Sequence, residues 1–108
     1  IDVAQRRPLL GFGSGGVSGP GLLAVGVLAT HRVHKRLPTT PIIGAGGVQR
    51  AEDVLQYLLA GASAVAIGTA ALADPKLPAR IVRELARWCA SHGVERLAAL
   101  TGTLEWPS

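Results

Sequence analysis

Two short glycine stretches in this chain stand where an anion would need them. Gly44-Ala45-Gly46-Gly47 follows the apolar residues Ile42 and Ile43, and Gly68-Thr69 follows Ala64-Val65-Ala66-Ile67. Each is trailed by residues that read as the approach to a helix. At a strand-to-helix junction the first amides lack intrahelical partners, and glycine removes the side chain that would hold an anion away from them. Thr69 adds a hydroxyl donor to its amide, whereas Ala45 and Val48 would serve only through main chain. One glycine pair at such a junction is more often a tight turn that needs a left-handed backbone. Two pairs at consecutive junctions favour a phosphate cradle.

Other chemistry finds little support. His31 and His34 alone are too few ligands for a metal site. Cys89 is the single cysteine, so it forms no internal disulfide; it reads as a small buried hydrophobe, and a reducing, cytoplasmic setting fits it. The formal charge is +4 and the isoelectric point about 10.2, a balance that attracts phosphate-bearing ligands. The densest basic stretch, His31-Arg32-Val33-His34-Lys35-Arg36, reads as the last turn of a helix, where cations complement the dipole. Only Phe12, Tyr57, Trp88 and Trp106 are aromatic, and they do not interleave with the basic residues, so no nucleic-acid partner is expected. No run of about 18 apolar residues exists, so no membrane span is expected. The first residues lack a signal-peptide pattern. Methionine is absent, which suggests a fragment or a processed product.

The elements that must hold these glycines follow from periodicity. Residues 1–20 read as a long loop, with Pro8 and the run Gly11-Phe12-Gly13-Ser14-Gly15-Gly16-Val17-Ser18-Gly19-Pro20. Residues 21–37 read as a helix with Leu22, Val25, Ala29 and Val33 on one stripe. Pro41 to Ala45 and Ala64 to Ile67 are short, apolar and bounded by breakers, which suits buried parallel strands. Between them, a helix over 50–60 places Ala51, Val54, Leu55, Leu58 and Leu59 inward and ends at Gly61. Asp74-Pro75 reads as a cap and first-turn proline of a helix to about Ser91, with Leu77, Ile81, Val82, Leu85, Trp88 and Cys89 inward. Gly93 ends it; a short helix over 94–100 and an extended tail from Thr101 to Ser108 follow. Alternating strands and helices imply parallel pairing. Two strands are too few for a stable parallel sheet, so the chain reads as a slice of a larger α/β domain.

These motifs, in order and over nearly the whole chain, resemble dihydroorotate dehydrogenase. The carrying residues are Gly15-Gly16-Val17-Ser18-Gly19-Pro20, Pro41 through Val48, Ala51-Glu52-Asp53-Val54, Ala60 through Val65, and Gly68-Thr69-Ala70. The GG-x-SGP loop is the specific element; the later glycine elements are common to many FMN-binding barrels. The likeness is to the class 1 catalytic subunits, and within them to the NAD-linked class 1B branch. After Pro20 the chain departs from the family, with Gly21-Leu22-Leu23-Ala24 where an alanine and an Ile-Lys-Pro-like run are usual.

The resemblance implies α/β architecture: the C-terminal portion of a (β/α)8 TIM barrel, the last two βα units plus C-terminal helices, residues 1–108 forming an incomplete part of one FMN-binding domain. It implies that Gly19 contacts the flavin, and that Gly46, Gly47, Gly68 and Thr69 hold the FMN phosphate. The implied activity is flavin-dependent oxidation of dihydroorotate to orotate in de novo pyrimidine biosynthesis. The implied partners are a second copy, as a homodimer, and a separate electron-transfer subunit carrying FAD and an iron–sulfur cluster. The family's general base, a cysteine in class 1, lies on an upstream loop, so no catalytic residue is assigned and the isolated chain is expected to be inactive. Two alternatives stay open: another FMN-dependent barrel oxidoreductase, such as a pyrimidine-base reductase, and a catalytically silent phosphate-binding fragment.

Overall fold

A computed structural model describes residues 1–107. The final residue of the expected tail, Ser108, lies outside the described residues. The chain order is a 3₁₀ turn Pro20–Leu22, α1 (Leu23–Arg36), β1 (Ile43–Ala45), α2 (Ala51–Ala60), β2 (Ala64–Ala66), α3 (Thr69–Ala73), α4 (Leu77–His92) and a 3₁₀ turn Leu97–Leu100. The strands pair in parallel, with Ile43 opposite Ala64, Gly44 opposite Val65 and Ala45 opposite Ala66. Since parallel neighbours need a crossover, α2 makes it and packs back on the sheet.

The core is built around α2. Val48, Ala51, Val54, Leu55, Tyr57, Leu58, Ala62, Leu77, Ile81 and Leu85 form one buried cluster. The expected stripe of α2 holds except that Leu59 is only half-buried, while Asp53, Tyr57 and Ala60 are buried as well. The wider buried face reflects position: α2 contacts α1, α4 and β2. Its start is closed by the Asp53 carboxylate, which accepts the amides of Gln49 at 2.9 Å and Arg50 at 3.2 Å. Its end turns left-handed at Gly61, φ 120°, as α4 does at Gly93, φ 66°.

The structure corrects several sequence expectations. The inward side of α1 is not the stripe of Leu22, Val25, Ala29 and Val33; Val25 is 64% exposed. The helix docks instead through Leu23 and Val27, with Gly26, Thr30 and His34 on the same face, where the bare Gly26 allows close approach to α2 and β1. Both faces of α1 carry aliphatic residues, so hydrophobicity alone does not separate them, and Gly26, Thr30 and His34 mark the docked one. Val82 is 64% exposed rather than inward, since it lies beyond the arc that Leu77, Ile81 and Leu85 present to α2. The strands are not buried on both faces: Ile43 is 70% exposed, because helices cover only one side of this sheet. A short helix, α3, follows Gly68 directly and was not expected. The first-turn proline of α4 is Pro78 rather than Pro75; Asp74 acts one step earlier, accepting the Lys76 amide at 3.0 Å. The expected helix over 94–100 is the shorter 3₁₀ turn.

The tail is tied down across the end of α2. Gly102 and Leu104 donate to the carbonyls of Leu58 and Leu59, and Thr101 Oγ1 donates to Ala62. Among the described residues, no helix is long and apolar enough to cross a membrane.

Candidate functional site

Gly19, Gly46, Gly47, Gly68 and Thr69 come from three separate segments, and all five line one cavity of about 450 Å³ at the carboxyl ends of β1 and β2. In open parallel α/β layers this edge is where ligands bind, because the strand ends and the following turns leave main-chain groups unpaired. The lining carries no carboxylate, ammonium or guanidinium. Its polar character comes from main chain, from the hydroxyls of Ser18 and Thr69, and from Gln49.

The turn after β1 needs its glycines. Gly46 and Gly47 sit at φ 115° and 75°, where L side chains are strained. A Cβ on Gly47 would also lie 2.5 Å from the backbone nitrogen of Leu23, so the turn is pressed against the start of α1. Asp53 takes the amides of Gln49 and Arg50, while the turn amides of Gly46, Gly47 and Val48 have no backbone acceptor among the described residues.

The turn after β2 behaves alike by another route. The carbonyl of Gly68 accepts from Ala71 at 2.9 Å and Leu72 at 3.1 Å, which closes the first turn of α3. The amides of Gly68, Thr69 and Ala70 have no backbone acceptor among the described residues. A Cβ on Gly68, or on Gly19 at φ 105°, would meet no atom within 4 Å. These two glycines therefore border open space, whereas Gly47 borders the chain itself. A backbone-lined concavity with free amides, two hydroxyls and no acidic side chain fits a phosphate group.

Three contributors escaped the sequence reading. Ser18 lies inside the SGP motif, which marks its neighbour Gly19 more strongly, and Gln49 carries no signal of its own. Tyr57 is the chain's one tyrosine, and its place on the inner face of α2 was the available clue. Its hydroxyl lies 2.9 Å from the Ala45 carbonyl and 2.8 Å from that of Gly46. Burial, with a smaller contribution from the Asp53 charge, pushes its pKa above the usual tyrosine value.

The remaining chemistry-bearing residues lie elsewhere. Cys89 is half-buried on α4 and does not line the cavity. His31 stacks on Trp106, with ring centroids 4.6 Å apart. The His34 ring packs over Gly61 and Gly102. Among the described residues no three ligand-type side chains cluster for a metal.

Parallel β–α units with a main-chain-lined cavity at their carboxyl edge form a piece of a parallel α/β domain with a candidate ligand site. Comparison with known proteins agrees. The family model for dihydroorotate dehydrogenase matches residues 1–88. A dihydroorotate dehydrogenase B (NAD(+)) catalytic subunit from Geobacter sp. (strain M21) is 41% identical over 105 residues, 97% of this chain and 34% of its own. One of the same name from Halalkalibacterium halodurans is 42% identical, over 94% of this chain and 33% of its own. A protein of Solibacter usitatus, provisionally named dihydroorotate dehydrogenase A (fumarate), is 40% identical over 98% of this chain and 34% of its own. The crystal structure of the Eimeria tenella enzyme in complex with ferulenol superimposes with a TM-score of 0.77 at 27% identity, over 83% of this chain and 24% of that one. The chain belongs to the dihydroorotate dehydrogenase family, a flavin-dependent family, and its fold is part of that family's (β/α)8 barrel. It spans about a third of the length of the curated relatives it matches.

Proposed function

We propose that this chain supplies the phosphate-binding edge of the FMN site in a dihydroorotate dehydrogenase, the enzyme that oxidises dihydroorotate to orotate in de novo pyrimidine biosynthesis. The observation that carries this reading is the convergence of Gly19, Gly46, Gly47, Gly68 and Thr69 on one cavity from three separate segments. Residues 1–108 then form one part of a single FMN-binding barrel domain.

Gly46, Gly47, Gly68 and Thr69 would hold the phosphate through their free amides, with Thr69 adding its hydroxyl. Gly19 would lie against the flavin, where its missing side chain allows close approach. When bound, FMN supplies the electron acceptor for a substrate hydride. This chain's own part is to bind the cofactor, to fix its orientation and to exclude water from one flank with Val17, Leu22 and Ile67. None of its side chains is assigned the general base.

The names of the bacterial relatives favour an NAD-linked catalytic subunit. The family resemblance adds a separate electron-transfer subunit carrying FAD and an iron–sulfur cluster as its partner. The active unit is read as a homodimer in the cytoplasm, with dihydroorotate and orotate as its small-molecule partners.

Titrating FMN and riboflavin into the complete protein stripped of flavin tests the reading. Absorbance and fluorescence quenching should give a clear preference for FMN. Equal affinity for the two flavins would remove the phosphate from the cavity and leave the glycines as plain turns.

A further inference from the structure

The tyrosine beneath the double-glycine turn does more than fill space. Tyr57 is fully buried on the inner face of α2, and its hydroxyl donates to the Ala45 carbonyl, the Gly46 carbonyl, or both in a shared bond. These two carbonyls belong to the peptide units Ala45–Gly46 and Gly46–Gly47. Neither is cis, and in a trans peptide the N–H points opposite to the C=O of the same plane. A donor that draws both carbonyls toward itself therefore turns the Gly46 and Gly47 N–H groups away from itself. Tyr57 does not line the cavity, whereas Ala45, Gly46 and Gly47 do.

The neighbourhood is shaped for this one ring. A Cβ on Gly26 of α1 would overlap the Tyr57 hydroxyl, and a Cβ on Gly44 of β1 would overlap the ring. Two elements thus give up side chains so that a third can place a hydroxyl under the turn. No other side chain donates to these carbonyls among the described residues. Phenylalanine would fill the same volume and leave both without that donor.

We infer that Tyr57 is a positioning residue for the phosphate cradle. Its hydroxyl orients the two peptide planes of the Ala45–Gly47 turn so that their N–H groups face the phosphate of a bound flavin nucleotide. The inference rests on the FMN reading above, and the test separates the two.

The complete protein stripped of flavin is titrated with FMN and with riboflavin, as wild type and as Tyr57→Phe. Loss of one oriented donor system should weaken FMN about tenfold, the scale of one hydrogen bond. Riboflavin, which lacks the phosphate, should bind the variant within about twofold of wild type, a surface-level change on the same scale. Gly26→Ala displaces the hydroxyl while keeping the ring, and its Cβ also comes within 3.1 Å of the Ala45 carbonyl oxygen; it should show the same selective loss, and it also serves if Tyr57→Phe does not fold. The double variant should lose less than the sum of the two, because both act on the same pair of carbonyls. Equal weakening of the two flavins would reduce Tyr57 to packing and overturn the inference, as would an unchanged FMN affinity. A wild-type protein without preference for FMN would overturn the cradle reading itself, and the inference with it.

Discussion

Replacing Gly47 with alanine attacks the cavity through the fold. At φ 75° an alanine pays for a left-handed backbone, about 1–2 kcal/mol. The new Cβ would lie 2.5 Å from the Leu23 nitrogen and 2.8 Å from its Cα. Those atoms are backbone at the start of α1, so relief requires moving the helix or the turn, an overpacking cost of about 1–3 kcal/mol. The sum of about 2–5 kcal/mol is a large share of an ordinary domain's stability of about 5–15 kcal/mol. At about 2–4 °C per kcal/mol for domains of this class, the Tm of the complete protein should fall by roughly 4–20 °C. Gly68→Ala is the control: its φ of −104° is negative and its Cβ would meet nothing within 4 Å. Without FMN that variant should melt within about 2 °C of wild type, and with FMN it should gain less, since a methyl now projects into space the ligand needs. Differential scanning calorimetry of both variants, with and without FMN, is the assay. A Gly47→Ala protein melting with wild type would refute the reasoning that the turn is pressed against α1.

Two further outcomes follow from buried groups. Asp53→Ala leaves the amides of Gln49 and Arg50 unpaired at the start of α2 and should cost about 1–3 kcal/mol by denaturant unfolding, while Asp53→Asn, which keeps one acceptor oxygen, should cost less. Tyr57 has a folded pKa raised above the unfolded value of 10.0, so its contribution is complete below that pH and is lost as pH rises through the folded value. Alkaline unfolding should therefore begin above about pH 10, and Tyr57→Phe should flatten that limb of the stability curve; identical alkaline limbs would contradict the assignment.

How far the sequence reached depended on how local the cause was. The glycines that end α2 and α4 were legible because only glycine takes a left-handed cap without strain, and Gly61 and Gly93 stand where the apolar periodicity stops. The inner face of α2 was legible because Ala51, Val54, Leu55 and Leu58 repeat at helical spacing. The parallel pairing of β1 and β2 followed from the crossover between them, and the five residues that line the cavity were named from the glycine motifs and the family resemblance they carry. The face of α1 was not legible, because its neighbours demanded small and polar residues at Gly26, Thr30 and His34 while Val25 and Val33 stayed exposed. Hydropathy reports what a residue prefers, and close helix approach reports what a neighbour leaves room for. The convergence of three segments on one cavity, and the hydroxyl of Tyr57 under a turn 11 residues before it, belong to the tertiary structure alone. Local sequence sets the φ of a glycine, but only packing of α1, β1 and α2 against one another decides which atoms that glycine makes room for.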